Sequence, residues 1–185
     1  LHGAAFTSQI WKTLGTLQLV AAFGQLAIAI DLPGWGHSTN SRLTSEESRK
    51  NFLTLLFNEL NITKPILITP SMSGVYSMPF IMEPQSETCK ERINGLIALA
   101  PTATNVYSHA QFHRCDAKTY IVIGENDKNI GLFALANLKN MPNRKIFIMR
   151  NSSHACYKDQ PTFWNEIIYH YNKEIIKRVD DSSHF

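Results

Sequence analysis

The sequence is short of cysteine, and the three cysteines that it has form no recognised pattern. Cys89, Cys115 and Cys156 are odd in number and include no C-x-x-C pair, so we expect neither a disulfide framework nor a zinc site. Unpaired cysteines favour a reducing compartment. Two N-x-S/T sequons begin at Asn61 and Asn151. Because such triplets arise easily by chance, we give glycosylation little weight.

Long apolar runs and dense runs of one charge are also missing. No stretch of about 18 apolar residues is present, so no segment is expected to span a membrane. The net charge is only +3, with acidic residues interspersed, so no nucleic-acid binding patch is predicted. The chain has no initial methionine, and Leu1-His2-Gly3 is typical of a strand end and the loop after it. We therefore expect an N-terminally truncated domain whose first strands, and any leader or anchor, precede Leu1.

What the sequence does contain is the alternation of strands and helices expected of one globular domain. With 185 residues, 44% of them hydrophobic, the chain can bury a core. We predict the domain at residues 1–178 and a polar tail at 179–185. The alternation indicates the α/β class, with a mostly parallel sheet covered by helices on both faces. Buried strands are expected at residues 26–30, 66–69, 93–100, 118–124 and 144–150, with residues 101–116 irregular.

The segment 65–76 has the layout of a nucleophile elbow, in which a strand ends in a sharp turn that presents a serine at the start of a helix. The usual pattern is G-x-S-x-G, but Thr69 and Ser73 stand in place of the two glycines. Two serines, Ser71 and Ser73, are therefore alternatives for the nucleophile.

The end of the apolar strand favours Ser71 over Ser73. In an elbow the strand ends two positions before the nucleophile, which is Thr69 if the nucleophile is Ser71. Choosing Ser73 would place two further residues, including Pro70, between the strand and the turn. Gly74 also falls three positions after Ser71, where close helix–strand packing needs a small residue. We predict Ser71 as the nucleophile, with Ser73 as the alternative.

An acid and a histidine follow the serine in loops at the ends of later strands, where parallel sheets gather their active residues. A serine hydroxyl needs an imidazole to accept its proton and a carboxylate to orient that imidazole. His154, between the last strand and the last helix, is the predicted base. Asp127, three residues past the strand that ends at Gly124, is the predicted acid. Glu125 and Asp116 remain alternatives, although Glu125 has less loop with which to reach the histidine.

Acyl transfer through a serine also needs an oxyanion hole of two backbone N–H groups. One N–H is expected from Met72, directly after the nucleophile. The other is expected from the loop after the strand end at Leu1, at Ala4 or else Ala5, where Gly3 gives the loop room to turn.

Several short motifs together point to one known family. The more specific motifs are Pro-Ser-x-Ser-Gly at 70–74, Tyr-Ser-x-Pro-Phe at 76–80 and His-x-Cys-Tyr at 154–157. Asp-x-Pro-Gly-x-Gly at 31–36 and the order serine, acid, histidine occur in many α/β-hydrolases and are weakly specific. With these motifs the chain resembles the α/β-hydrolase domain-containing protein 14 family, over nearly its whole length.

The resemblance implies an α/β-hydrolase fold, for which the short segment 100–118 predicts a minimal lid. The family's nucleophile, acid and base match Ser71, Asp127 and His154. For the soluble branch the resemblance implies ester hydrolysis or removal of acyl groups from protein lysines, with coenzyme A as an acyl acceptor and a general transcription factor as a partner. We expect a cytoplasmic or nuclear monomer that needs no metal or other cofactor for hydrolysis. Residues 101–104 look more like the membrane-anchored branch. Because the strand ending at Leu1 lies mid-sheet in this fold, a gap is expected there.

The missing elbow glycines allow a second interpretation, a non-catalytic protein-interaction module that keeps the fold. The intact set of serine, acid and histidine argues against it. The segment 100–118 is too short for a large lid, which predicts an accessible pocket for small acyl groups rather than long lipids.

Overall fold

A four-stranded parallel sheet organises the computed structural model, which describes residues 1–82 and 88–182, with side chains through Ile176. The strands lie in chain order, and all neighbouring pairs are parallel. Their bounds are Ile66–Pro70 for β1, Gly95–Leu99 for β2, Lys118–Gly124 for β3 and Arg144–Met149 for β4. The predicted α/β class with a parallel sheet is confirmed.

Helices connect the strands and cover both faces of the sheet, as predicted. They are α1 Gln9–Thr13, α2 Thr16–Ala22, α3 Glu46–Glu59, α4 Gly74–Met82, α5 His109–Arg114, α6 Ile130–Leu138, α7 Cys156–Asp159 and α8 Pro161–Ser182. On one face α3 to α6 pack around Leu53 and Phe112, and on the other α1, α2, α7 and α8 pack around Trp11 and Trp164. In the described part of the chain, no helix has the length and apolar character needed to cross a bilayer.

Successive side chains of β1, β2 and β3 enter the two cores in turn, because strand residues alternate between faces. In β2, Leu96 and Ala98 join the first core, while Ile97 and Leu99 join the second. Because a strand that is buried on both faces is apolar at every position, this packing explains the continuous apolar runs in the strand segments of the sequence. Strand β4 differs: Ile146 and Ile148 are 44% and 52% exposed, so the buried strand predicted at 144–150 is buried on one face only. Because the strands are parallel, the loops that follow β1, β3 and β4 all meet at the carboxyl edge of the sheet.

The segment 26–30 is extended but is not a strand, so that prediction is wrong. No described strand lies between it and β1, and its backbone groups have no ladder to join. Leu26 and Ile28 are 81% and 43% exposed. An apolar cavity of about 260 Å³ is lined by this segment and by β1. The Leu1 amine donates to the Ile68 carbonyl at 3.1 Å beside that cavity. The gap expected next to Leu1 stays a prediction.

Three helical regions differ from the sequence-based expectation. The helix expected after Phe6 is divided into α1 and α2 at Gly15, whose φ of 74° lies in the left-handed region. Ser108 and Gln111 form a capping box that begins α5, within residues expected to be irregular. Helix α8 continues to Ser182, into the expected polar tail, because no glycine or proline interrupts it. Residues 183–185 lie outside the described residues.

Cys89 and Cys115 form a disulfide, so the prediction of unpaired cysteines is wrong. Their Cα atoms are 5.1 Å apart, and both residues are buried. They precede β2 and β3 at the amino edge of the sheet, 26 residues apart in sequence, and spacing alone does not reveal such a pair. Cys156 is free and buried. Residues 83–87, part of the polar segment 83–92 that the sequence predicts as a loop, lie outside the described residues.

Candidate active site

Strand β1 ends in the expected elbow, and Ser71 occupies its tip. Ser71 has a φ of 46°, a left-handed conformation that non-glycine residues seldom adopt outside strained functional turns. The residues Ser71–Ser73 form one 3-10 turn that leads directly into α4. Ser73, the alternative nucleophile, is buried, and its hydroxyl donates to the Pro70 carbonyl at 2.8 Å. Ser73 therefore supports the turn from the inside.

Contacts with the loop after β2 hold the strained elbow. The N–H and the hydroxyl of Thr102 both donate to the Ser71 carbonyl, at 2.9 and 3.1 Å. Gly74 allows this approach, because a Cβ there would lie 2.3 Å from the Thr102 carbonyl oxygen. The need for a small residue at Gly74 was expected, although the group packed against it is Thr102. Nothing in the sequence marks Thr102 except its place after a strand.

His154 lies between Ser71 and Asp127 and contacts both. Its Nε2 is 2.7 Å from Ser71 Oγ, and its Nδ1 is 2.5 Å from Asp127 Oδ2. The Asp127 side chain is 5% exposed, whereas that of His154 is 36% exposed. Because an ionised carboxylate only accepts hydrogen bonds, the geometry assigns the proton to Nδ1 and leaves Nε2 to accept from the serine hydroxyl. The structure thus brings together the three residues that the strand ends predict.

Close backbone packing holds the loop of His154 beside the loop of Asp127. A Cβ at Gly124 would lie 2.0 Å from the Ser153 carbonyl oxygen, so glycine is required for the loop after β4 to approach the end of β3. The Asn126 N–H donates to the Ser152 carbonyl at 2.9 Å and joins the two loops. The histidine loop and the acid loop therefore form one packed unit.

The two alternative acids have other partners. The Glu125 carboxylate accepts from the Asn151 N–H at 2.8 Å, so it braces the histidine loop. Asp116 forms an ion pair with Lys90 before β3, at the amino edge of the sheet. Neither carboxylate makes the contact with the histidine that Asp127 makes.

The loop 3–6 lies beside the nucleophile, where the sequence predicts half of the oxyanion hole. A Cβ on Gly3 would be 3.8 Å from the Ser71 Cβ. The Phe6 N–H donates to the Gly3 carbonyl at 3.1 Å and closes a tight turn over the two intervening alanines. The loop that carries Ala4 is therefore held next to the elbow that carries Met72.

His2 supports this loop from beneath, a role that the sequence did not indicate. The ring is fully buried, and its Nε2 accepts from the Leu32 N–H at 3.0 Å. Its Nδ1 therefore carries the proton and donates to the Gly3 carbonyl at 2.9 Å. Burial lowers the pKa of His2, which favours the neutral form that this arrangement needs. On the outer side, Trp35 Nε1 donates to the Ala4 carbonyl at 3.0 Å.

Asp31 connects the segment 31–38 to the start of α1. Its carboxylate accepts from the His37 N–H at 2.8 Å and the Ser8 N–H at 2.7 Å. These bonds, led by that from His37, lower the pKa of Asp31 to about 2. The Asp-x-Pro-Gly-x-Gly motif thus braces one wall of the site.

Comparison with curated proteins finds relatives over most of this chain. ABHD14A of Danio rerio is 38% identical over 162 residues, which are 87% of this chain and 58% of that protein. ABHD14B of Homo sapiens, named as a candidate protein-lysine deacylase, is 36% identical over 168 residues, 89% of this chain and 77% of that protein. The chain belongs to the ABHD14 family. It spans 58% of the Danio rerio ABHD14A and 65% of the Rattus norvegicus ABHD14A.

Solved structures share the fold of this ABHD14 chain at low sequence identity. A protein described as a CIB-like hydrolase from Thermoplasma acidophilum aligns with a TM-score of 0.81 at 20% identity, covering 92% of this chain and 83% of the other. A monoacylglycerol lipase from Paleococcus ferrophilus aligns with a TM-score of 0.75 at 15% identity, covering 95% and 93%. No protein-family model matches the chain. The likeness establishes the α/β-hydrolase fold.

The His-x-Cys-Tyr motif, one basis of the resemblance to the ABHD14 family, packs behind the base. Burial raises the pKa of the Cys156 thiol to about 12, so this cysteine stays protonated and is a poor nucleophile. The Tyr157 ring stacks on Trp11 with centroids 5.4 Å apart. The Tyr157 hydroxyl lies 3.6 Å from where a Cβ on Gly3 would stand. The motif therefore joins the histidine loop to the loop 3–6.

Two cations lie over aromatic rings beside the site. The Arg42 guanidinium is 4.1 Å from the Trp35 ring centroid, and the Lys158 ammonium is 5.6 Å from that of Phe6. An open cavity of about 450 Å³ is lined by Ala4, Phe6 and Trp35. Within residues 1–82 and 88–182, no group of three His, Cys, Asp or Glu residues could hold a metal ion.

Proposed function

We propose that this protein is a serine hydrolase or acyltransferase in which Ser71 is the nucleophile, His154 the general base and Asp127 the acid that orients the base. The observation that carries the proposal is the continuous contact from Ser71 Oγ to His154 Nε2 at 2.7 Å and from His154 Nδ1 to Asp127 Oδ2 at 2.5 Å. The left-handed φ of Ser71, usual for an elbow nucleophile, supports it.

In the first half of the proposed reaction, Ser71 Oγ attacks the acyl carbonyl carbon and passes its proton to His154 Nε2. Asp127 stabilises the resulting imidazolium through Nδ1. The tetrahedral intermediate then breaks its bond to the alcohol or amine, which leaves with the proton from His154. The acyl group remains on Ser71 as an ester.

In the second half, an acceptor gives its proton to His154 and attacks the ester carbonyl carbon. The bond from that carbon to Ser71 Oγ then breaks, the acyl group leaves on the acceptor, and His154 returns the proton to Ser71 Oγ. The backbone N–H groups of Ala4 and Met72 are the proposed donors to the oxyanion in both halves. Support for Ala4 comes from the position of its loop beside Ser71, and for Met72 from its place after the nucleophile.

Small acyl esters or acylated lysine side chains are the proposed substrates. Between β2 and β3 the longest helix is α5, with 6 residues, which offers little material for a lid. The His154 side chain is 36% exposed, so a side chain of another protein can approach the base. The name of ABHD14B as a candidate protein-lysine deacylase supports the acyl-lysine class.

Water and coenzyme A are the two proposed acceptors. Arg42 and Lys158 lie over Trp35 and Phe6, two rings that line the open cavity beside Ala4, and offer places for the phosphates of coenzyme A. If coenzyme A is an acceptor, it will speed the loss of the acyl group from Ser71 in a single-turnover assay. An unchanged rate would leave water as the acceptor.

The transcription-factor partner stays a prediction, whereas we do not propose the cytoplasmic or nuclear location expected from the sequence. The location was inferred in part from unpaired cysteines, and the Cys89–Cys115 disulfide removes that support.

A fluorophosphonate probe on the full-length protein tests the proposed nucleophile, because it reacts with an activated serine. We expect wild type to be labelled and Ser71→Ala to be unlabelled. Ser73→Ala is the matched control and should retain labelling, since its hydroxyl binds Pro70. Labelling that depends on Ser73 would contradict the choice of Ser71. A wild-type protein that is folded but never labelled would favour the non-catalytic interaction module.

A further inference from the structure

The turn after α3 presents an asparagine side chain to solvent. Asn61 has a φ of 52°, and its N–H donates to the Asn58 carbonyl at 3.1 Å. The Ile62 N–H donates to the Phe57 carbonyl at 2.8 Å, which completes the helix cap. The cap uses backbone groups alone, and Asn61 is exposed. The carboxamide is therefore accessible.

Asn61 begins the sequon Asn61-Ile62-Thr63, and its Thr63 is exposed as well. A left-handed cap position explains an asparagine, since asparagine often replaces glycine there. It does not explain a hydroxyl residue two positions later. The sequon is thus an accessible acceptor in a surface turn, the setting in which N-linked glycans occur.

The second sequon, at Asn151, differs in its surroundings. The Asn151 N–H donates to Glu125, and the Ser153 hydroxyl donates to Asp159 at 2.6 Å. The Ser152 residue between them is buried. This sequon belongs to the packed loop that carries His154, so its groups already have structural roles.

The Cys89–Cys115 disulfide indicates, independently of the sequon, the compartment in which the domain matures. Disulfides form and persist in oxidising compartments such as the lumen of the endoplasmic reticulum, where N-linked glycans are also attached. Both cysteines are buried at the amino edge of the sheet. Asn61 precedes β1 at the same edge, whereas Ser71 and His154 lie at the carboxyl edge. A glycan on Asn61 would therefore leave the candidate site open.

We propose that Asn61 is an N-glycosylation site and that this domain matures in the oxidising lumen of the secretory pathway. In that modification the Asn61 Nδ2 loses one proton and forms a bond to C1 of the first N-acetylglucosamine. The co-reactant is a lipid-diphosphate oligosaccharide, whose C1–oxygen bond breaks and whose lipid diphosphate leaves. Thr63 is part of the recognised triplet and is not itself modified.

The test uses the full-length protein, expressed from its own complete coding sequence in cultured animal cells. Peptide-N-glycosidase should remove one glycan from the wild type, which then migrates faster on a gel. Thr63→Ala, which leaves the helix cap intact, should abolish the shift, as should Asn61→Gln. Thr63→Ser preserves the sequon and should keep the shift, and Ser153→Ala should keep it too.

Alkylation before and after reduction tests the compartment in the same samples. In denaturant, which exposes these buried side chains, Cys89 and Cys115 should react only after reduction. A wild type without a glycan, or with both cysteines free, would overturn the proposal. So would a shift that survives Thr63→Ala and disappears in Ser153→Ala, because the glycan would then be on Asn151.

Discussion

The two edges of the parallel sheet differ in what their side chains do. At the carboxyl edge, loops with close backbone packing bring Ser71, His154 and Asp127 into contact. At the amino edge, a disulfide and the ion pair of Lys118 with Glu174 join neighbouring elements. This difference predicts that the proposed activity and the stability depend on opposite ends of the same strands. Substitutions at one edge should therefore leave the property of the other edge largely unchanged.

Asp127→Asn should give the largest effect, on activity alone. The amide can donate to Nδ1 and favour the wrong imidazole tautomer, so we expect a loss in the acylation rate of about 10⁴-fold. The melting temperature should change little, because the side chain keeps its shape. Stopped-flow acylation with an activated ester measures the rate. Glu125→Gln is the matched control, and an equal loss there would contradict the assignment of the acid.

Removing the disulfide should affect stability and spare activity. Cys89→Ser combined with Cys115→Ser frees a loop of 26 residues, which should lower the free energy of unfolding by roughly 3–4 kcal/mol. Urea unfolding measures the loss. The acylation rate of the folded variant should match wild type. A large fall in that rate without unfolding would show that the amino edge affects activity as well as stability.

Glu174→Gln should have a smaller, pH-dependent effect at the amino edge. Burial alone would raise the pKa of Glu174, but hydrogen bonds from Lys118, Lys145 and Tyr120 outweigh it and hold the pKa at about 2. Since this value is below the ordinary 4.5, its stabilisation is present above about pH 4.5 and is lost as the pH falls towards 2.

We expect Glu174→Gln to lower the free energy of unfolding by about 1–2 kcal/mol at neutral pH. The difference from wild type should shrink as the pH falls from 4.5 towards 2. Urea unfolding across that range measures it, with Glu166→Gln, at an exposed position of the same helix, as control. If the free energies of unfolding of wild type and variant differ by the same amount at all pH values, the carboxylate charge is not what stabilises the fold.

The sequence predicted the carboxyl edge better than the rest, for a physical reason. Strand ends are marked by local apolar runs, so the positions of Ser71, Asp127 and His154 follow from the chain itself. Long-range contacts have no such signal, and the Cys89–Cys115 pair and the support from Thr102 were missed. The segment 26–30 has the composition of a strand, but a strand also needs a neighbour. The capping box at Ser108 was a readable signal for α5.

In the proposed reaction, Ser71 carries an acyl group during turnover. Full-length protein mixed with an activated small acyl ester, quenched in acid and digested, would locate that group by peptide mass spectrometry. We expect an acyl ester on Ser71 in wild type, none in Ser71→Ala, and accumulation of the ester when the acceptor is withheld. An acyl group found on Ser73 or Cys156, or none under conditions that give ester turnover, would contradict it.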